Sequence, residues 1–337
     1  MYNFIFKITT SCPGNCTCCK NRQNNFKAKA QGKYFDLRTF ETICEQIKKI
    51  GGKYICLSGG EPTLVHNLDE YISIAHSFDL VTRINTNGWN VTFENLKKWT
   101  FYGLDQIVLS IYGLNEESVK KARGREDIYK KSIEAAKTIC EFKNENKLVF
   151  IIQTVLMRDV YLELPQILSF AIDVKADRFW PSYLEDAFNL DEIRMREEDV
   201  LYFKQVIAPE MKNIINFQQD FSIEKKQELC TTIDSYFSND YSNGIYHLGT
   251  IKCPWIGKHF TFYPNGTIDP CPGHEYFNSE QQLHIDYTNI NKYLNEEYLN
   301  LMSKKTFDYC KYCPHGEHIG LVLSNKTLDE HCSKEEL

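Results

Sequence analysis

Three cysteines carry the sharpest chemical signal in the chain. Cys12, Cys16 and Cys19 form a C-x3-C-x2-C run, CPGNCTCC, directly after a stretch at 3–8 that reads as a β-strand. Three thiolates on one short loop make a soft sulfur site, which suits an iron–sulfur cluster or zinc. A cubane cluster has four irons, so three cysteines leave one iron open to an exogenous ligand, and an open iron implies chemistry at the metal. A structural zinc would need a fourth ligand, for which Cys18 is on hand. Zinc more often uses two C-x2-C knuckles, however, and this run does not supply two.

A second group of cysteines lies towards the C-terminus. Cys253 and Cys271 flank a stretch that reads as a hairpin: His259 to Tyr263, a Pro264-Asn265-Gly266 turn, then Thr267-Ile268. Beyond a helix expected at 290–302, Cys310 and Cys313 form C-x2-C. Four cysteines hold either one [4Fe–4S] cluster or a tetrahedral zinc, and His315 and His318 widen the zinc options.

Between these groups, short motifs fall at the ends of strand-like runs. Gly59-Gly60-Glu61-Pro62 follows Tyr54-Ile55-Cys56-Leu57 and Ser58. Two glycines let the backbone approach a ligand closely, and Glu61 can accept from an ammonium. Read alone, the segment is more often an ordinary turn. Asn85-Thr86-Asn87-Gly88 offers polar side chains or an Asn-Gly turn. Ser110 closes a fourth run ahead of Ile111-Tyr112-Gly113, and Arg123-Gly124 follows. An arginine fork suits a carboxylate. Arg125 competes for that role, and a solvated surface charge is the plain alternative for both.

Together these segments resemble the radical S-adenosylmethionine (radical SAM) enzymes. The resemblance implies a [4Fe–4S] cluster on Cys12, Cys16 and Cys19, with Gly59, Gly60, Glu61 and Pro62 binding the methionine amino group of S-adenosylmethionine. It implies further that Asn85 and Asn87 lie near the cofactor, that Ser110 helps hold it, and that Arg123 pairs with its carboxylate. The C-terminal cysteines resemble the auxiliary-cluster region of the SPASM/Twitch branch. Full SPASM domains continue with C-x5-C-x3-C, whereas position 319 is Ile319 and no such cysteines follow. The shorter Twitch form fits better, with Cys253, Cys271, Cys310 and Cys313 as ligands of a second [4Fe–4S] cluster and Cys332 as a tail thiol or substitute ligand.

The elements that must position these residues alternate. Strands are expected at 3–8, 54–57, 80–85, 106–110, 148–155 and 178–180, and helices at 37–50, 67–78, 93–99, 127–142 and 162–174. Asp36 can cap the first helix, and Gly51-Gly52 ends it. Such units imply an α/β fold, a parallel sheet curled into a partial (β/α)6 TIM-like barrel, which is also the radical SAM fold. Sites on such sheets lie beyond the carboxyl ends of the strands, where the motifs fall. The expected divisions are a barrel at 1–185, a linking helical region at 186–250 that covers the barrel opening, and a Twitch domain of hairpin plus helix at 251–337.

Composition narrows the class. The 337 residues are 25% charged with a net charge of −6, and no basic stripe points to nucleic acid. No apolar run long enough for a membrane span and no charged-then-apolar leader stand out. Thirteen cysteines then imply metal sites or catalytic thiols in a reducing cytoplasm, with oxygen-sensitive clusters.

The resemblance implies reductive cleavage of S-adenosylmethionine, fed by a low-potential donor such as flavodoxin or ferredoxin, and removal of a hydrogen atom from a substrate carbon. The chain starts at the first barrel strand, leaving no room for an N-terminal peptide-recognition domain of about 80 residues. The expected substrate is therefore a small polar molecule, sugar-like or aminocyclitol-like, that is oxidised or epimerised. A peptide maturase that epimerises or crosslinks a precursor is the alternative, and a zinc- or cluster-stabilised binding module is the non-enzymatic one. An epimerase needs an S–H donor. Cys44, Cys56 and Cys140 read as core residues. Cys230, in a polar helical stretch expected over the barrel mouth, is the donor candidate, with a half-buried helical cysteine as its plain alternative.

Overall fold

The computed structural model describes residues 3–19, 34–184, 192–237, 241–242, 245–246, 258–269, 283–284, 292, 294–295 and 320–324. Cys253, Cys271, Cys310, Cys313, Cys332, His315 and His318 lie outside the described residues, as does most of the helix expected at 290–302.

Six short segments, most of them rich in apolar residues, decide the architecture. Strands β1 (Asn3–Thr9), β2 (Tyr54–Gly59), β3 (Val81–Thr86), β4 (Leu104–Ser110), β5 (Val149–Leu156) and β6 (Arg178–Tyr183) pair in parallel in chain order. Helices α1 (Leu37–Lys49), α2 (Leu68–Ser77), α3 (Phe93–Phe101), α4 (Glu116–Arg123), α5 (Asp127–Lys143) and α6 (Leu164–Asp173) connect them. One phase of each strand joins the hydrophobic core with the helices: Phe4, Phe6, Leu57, Ile84, Leu109 and Phe179 are among its members. Side chains alternate with a period of two, so the other phase faces inward. That face carries Lys7, Cys56, Arg83, Asn85, Gln106, Ser110, Gln153, Arg178 and Trp180. On a flat sheet β3 and β6 would stand about 14 Å apart. Arg83 lies only 6.0 Å from the Trp180 ring, because the sheet curls into the expected partial barrel.

Asp36 caps α1 as expected, its Oδ2 accepting from the Thr39 N–H at 2.9 Å. Residues 116–123 form a separate helix, α4, capped by Asn115, which the sequence reading did not expect. Within the helical region expected at 186–250, the described residues include α7 (Glu197–Tyr202), a π turn (Phe203–Ile207) and then α8 (Ala208–Phe217), ahead of α9 (Ile223–Ser235). These helices anchor at the β6 flank. Tyr236 Oη donates to the Pro181 carbonyl, and the Phe237 N–H donates to Tyr183 Oη.

The C-terminal hairpin is present, but it shares the barrel's own sheet and core. Strands β7 (Tyr241–Ser242) and β8 (Ile245–Tyr246) make a small ribbon, while β9 (His259–Phe262) lies parallel to β1 and pairs antiparallel with β10 (Thr267–Asp269). Phe260 stacks on Phe4 at 5.8 Å and Phe262 on Phe6 at 4.8 Å. This covers the outer edge of β1, which would otherwise expose unpaired backbone groups. On the hairpin's side β11 (Leu283–His284) pairs with β10, and at the opposite end of the sheet β12 (Leu321–Val322) pairs with β6. Among the described residues, no helix is long and apolar enough to cross a membrane.

Candidate functional site

The cysteine loop leaves β1 and is held at two places by its neighbours. On one side it docks against the C-terminus of α4, whose last carbonyls have no partner within the helix. The Asn15 N–H donates to the Arg123 carbonyl at 2.9 Å, and the Thr17 N–H to that of Ala122 at 3.0 Å. On the other side the Gly59-Gly60 turn packs backbone to backbone on residues 9–11. Gly60 N–H donates to the Thr9 carbonyl and Glu61 N–H to the Ser11 carbonyl, both at 2.7 Å. A Cβ on Gly60 would be driven into the Ser11 carbonyl oxygen, and one on Gly59 (φ +134°) into that of Thr9. The two glycines therefore permit close approach to the cysteine loop itself. Gly60→Ala should cost about 1–3 kcal/mol, the range for overpacking, and should lower iron bound at the loop. Urea unfolding and iron analysis of the variant would check both, and an unchanged iron content would refute this reading of the turn.

Within the loop, Cys12 is exposed while Cys16, Cys18 and Cys19 are half-buried. A Cβ placed on Gly14 would lie 3.6 Å from both Cys12 Sγ and Cys16 Sγ, so these two sulfurs face a common space. The Gly14 N–H and Asn87 Nδ2 both point at Cys12 Sγ, at 3.4 and 3.7 Å. Although Cys12 as a whole residue is exposed, the atoms packed around its sulfur keep water from it. This desolvation, with Glu61 and the neighbouring cysteines adding to it, pushes the Cys12 thiol up to about 11. Cys18 packs against the hydrophobic core and accepts from the Tyr112 hydroxyl, and burial pushes its thiol up to about 12. Metal ligation requires the thiolate form, so a cation at this loop would displace protons.

Glu61 was expected to receive an ammonium. The structure uses both its oxygens otherwise. Oε1 accepts from Thr86 Oγ1 at 2.6 Å, Thr63 Oγ1 at 2.7 Å and the Thr63 N–H at 3.1 Å, and Oε2 accepts from the Asn87 N–H at 2.7 Å. The side chain is buried, and burial raises its pKa against these four donors. Glu61 thus ties the end of β2 to the end of β3 and sets the position of Asn87 over Cys12.

Arg123 and Arg125, alike in sequence, are separated by their surroundings. Arg123 is buried, with its guanidinium 4.3 Å from the Tyr112 ring centroid. Its Nε and Nη1 have no hydrogen-bond partner among the described residues. Cys16, Cys18 and Cys12 are close enough to act on it electrostatically. Arg125 is exposed and already committed to Asp127 and to the Pro13 carbonyl. Asn85 lies on the inward face of β3, its Oδ1 buried without a hydrogen-bond partner among the described residues. Ser110 ends β4 beside Gln153 of β5, and Pro62 opens a short 3-10 turn.

Cys230 is not brought to this group. It sits on α9, half-buried, with Sγ 3.9 Å from Asn216 Oδ1 of α8 and Lys212 and Asp234 as its charged neighbours. Those contacts lend the hydrogen-donor role no support. Sequence reasoning missed Thr63, Thr86 and Tyr112, which act only through contacts formed by folding. It also missed the inward cations Lys7, Arg83 and Arg178. For Lys7, a cation within a mostly apolar strand was the available signal.

The chemistry of the donors fits the groups that the resemblance implies. Three thiols lie on one short loop, two of them facing a common space, with N–H donors aimed at Cys12 Sγ. Beside them is a buried guanidinium whose Nε and Nη1 have no hydrogen-bond partner among the described residues. The three thiols are not drawn together into a closed metal-binding group. The Radical SAM superfamily model matches residues 6–171. A PqqA peptide cyclase of Bradyrhizobium diazoefficiens is 28% identical over 174 residues, which are 52% of this chain and 44% of that protein. A second, from Rhizobium meliloti, is 27% identical over the same shares. The chain thus spans less than half the length of these relatives. Among solved structures, Streptococcus suis SuiB is similar with a TM-score of 0.64 at 17% identity, covering 93% of this chain and 70% of SuiB. SuiB bound to precursor peptide SuiA gives a TM-score of 0.63 at 16% identity, over 94% of this chain and 71% of that one. Native anSMEcpe with bound AdoMet gives 0.61 at 13% identity, over 95% and 93% of the two chains. At these identities the solved structures speak for the fold.

Proposed function

The chain belongs to the radical SAM superfamily, and from that premise we propose that it catalyses a radical modification of a peptide. Cys12, Cys16 and Cys19 would hold the [4Fe–4S] cluster that binds S-adenosylmethionine, and Cys253, Cys271, Cys310 and Cys313 an auxiliary one of the Twitch type. When bound, the cluster and S-adenosylmethionine supply reductive formation of a 5′-deoxyadenosyl radical able to take a hydrogen atom from carbon. The chain's own residues bind and orient. Arg123 would take the cofactor's methionine carboxylate, since a planar fork matches that group. Backbone groups of Gly59 to Pro62 would meet the amino group, leaving the Glu61 carboxylate to its internal partners. Asn85, Asn87 and Ser110 would line the cofactor on the adjoining strand ends. A low-potential donor such as flavodoxin or ferredoxin would feed the site.

The single observation that carries this reading is Arg123, buried beside the three-thiol loop with Nε and Nη1 lacking hydrogen-bond partners among the described residues. An unsatisfied buried guanidinium is costly, and an anionic ligand relieves that cost. The peptide substrate rests on the relatives, two peptide cyclases and a fold neighbour described with its precursor peptide. They favour a peptide over the small polar molecule expected from the sequence.

The test is anaerobic reconstitution followed by reduction with dithionite in the presence of S-adenosylmethionine. The protein should bind about eight irons, four per cubane, and should release 5′-deoxyadenosine and methionine. About four irons with one zinc would make the C-terminal site structural zinc. A colourless protein that leaves the cofactor intact would overturn the proposal.

A further inference from the structure

The inward face of the six barrel strands carries three cations, Lys7, Arg83 and Arg178, and no Asp or Glu. The acidic side chains on these strands or at their starts point the other way: Asp105 accepts from the Thr82 N–H, and Asp177 from the Phe150 N–H. Arg178 is buried and Lys7 and Arg83 are half-buried, and even partial removal of a charge from water is costly unless a partner offsets it. Arg83 forms no ion pair with a described residue, and its Nε is buried without a hydrogen-bond partner among them. Its known contacts are the Trp180 ring, 6.0 Å away across the barrel, and the buried Cys56 thiol, on which Lys7 also acts. The remaining inward neighbours are neutral. Val108 and Ile151 are apolar, and Gln153 Nε2 donates to Ser182 Oγ at 2.8 Å.

Arg83 stands two residues before Asn85 on the same face of β3, about 7 Å deeper into the barrel. A group held by Arg83 would therefore lie one layer beneath the cofactor proposed for the strand ends. We propose that Arg83, with Lys7 and Arg178 beside it, forms an anion-recognition site in the barrel lumen that takes the side-chain carboxylate of an acidic residue in the peptide substrate. This rests on the peptide reading given above and narrows it. The arginine fork matches a carboxylate, and Trp180, Val108 and Ile151 give apolar walls for the methylenes that carry it. The site would hold the acidic side chain so that a neighbouring carbon faces the strand ends.

The test uses capped amino acids as probes of the reconstituted full chain, titrated by calorimetry under anaerobic conditions. N-acetyl-glutamate N-methylamide should bind wild type about tenfold more tightly than its glutamine counterpart, the equivalent of one charge-assisted hydrogen bond. Arg83→Gln should abolish that preference. Arg83→Lys, which keeps the charge and loses the fork, should retain part of it, and thermal melts would verify that both variants are folded. Equal binding of the two probes by wild type, or an undiminished preference in folded Arg83→Gln, would overturn the inference. Glutarate binding more tightly than the capped glutamate would assign the site to a free dicarboxylic acid and overturn the peptide source. Formation of 5′-deoxyadenosine by wild type is measured in parallel. Its loss would strike the functional reading, whereas loss of the carboxylate preference alone would strike only this site.

Discussion

Replacing Cys12, Cys16 and Cys19 together by Ala should reduce formation of 5′-deoxyadenosine from S-adenosylmethionine to the uncatalysed background and leave the barrel folded. The two halves of that result have different physical sources. The thiols sit on a loop beyond the end of β1, with Cys12 exposed and the others half-buried, and none belongs to the buried core. The barrel instead rests on Phe4, Phe6, Leu57, Ile84, Leu109 and their helix partners, which the substitutions leave in place. The loop also keeps its backbone bonds to α4 through Asn15 and Thr17. Cleavage, by contrast, depends on an iron with an open position, and without thiolates that iron has no protein anchor. Chromatography of the products and circular dichroism of the variant would separate the two. Cleavage that survives in the triple variant would remove these cysteines from the chemistry. Iron should fall by about four atoms, the content of one cubane.

Most of this architecture was legible because it is written in local periodicity. The six strands and their connecting helices follow from period-2 and period-3.6 apolar patterns, and the structure moves their ends by only a few residues. The cap at Asp36 was readable from the residue type alone. The chemistry-bearing motifs were readable because each is contiguous: a cysteine run, a glycine pair, an arginine before a glycine. Less was legible where meaning depends on what folding brings together. The place of Arg123 before Gly124 set it apart from Arg125, but only the fold shows that one is buried over Tyr112 and the other is paired with Asp127 at the surface. Cys56 read as an ordinary core residue, but strand parity turns it inward, where Arg83 and Lys7 act on it. The hairpin at 259–268 was readable as a hairpin. Its pairing with β1 was not, because a parallel partnership across that distance in sequence leaves no local trace. The substrate class was not legible in the sequence, and the peptide proposed above rests on what the relatives are described as acting on.

Glu61→Ala should destabilise the protein by about 4 kcal/mol even with no cofactor present, because it strands two buried backbone N–H groups at about 1–3 kcal/mol each together with two hydroxyls. The N–H groups are those of Thr63 and Asn87, and the hydroxyls belong to Thr63 and Thr86. The hydroxyls can turn to other acceptors, whereas the backbone groups are fixed by the turn and by the end of β3. Glu61→Gln should lose less, since its amide oxygen still accepts, but its NH2 group must face donors on one side. The consequence reaches the cysteine loop through Asn87, whose Nδ2 points at Cys12 Sγ. Iron bound at that loop should therefore fall in Glu61→Ala alongside the urea midpoint. A carboxylate whose task was to meet the cofactor's ammonium would behave differently. Its removal would weaken S-adenosylmethionine binding and leave the stability of the cofactor-free protein and its iron content unchanged. Urea titration without cofactor distinguishes the two, and a midpoint equal to that of wild type would return Glu61 to the cofactor and withdraw it from the strand-joining role.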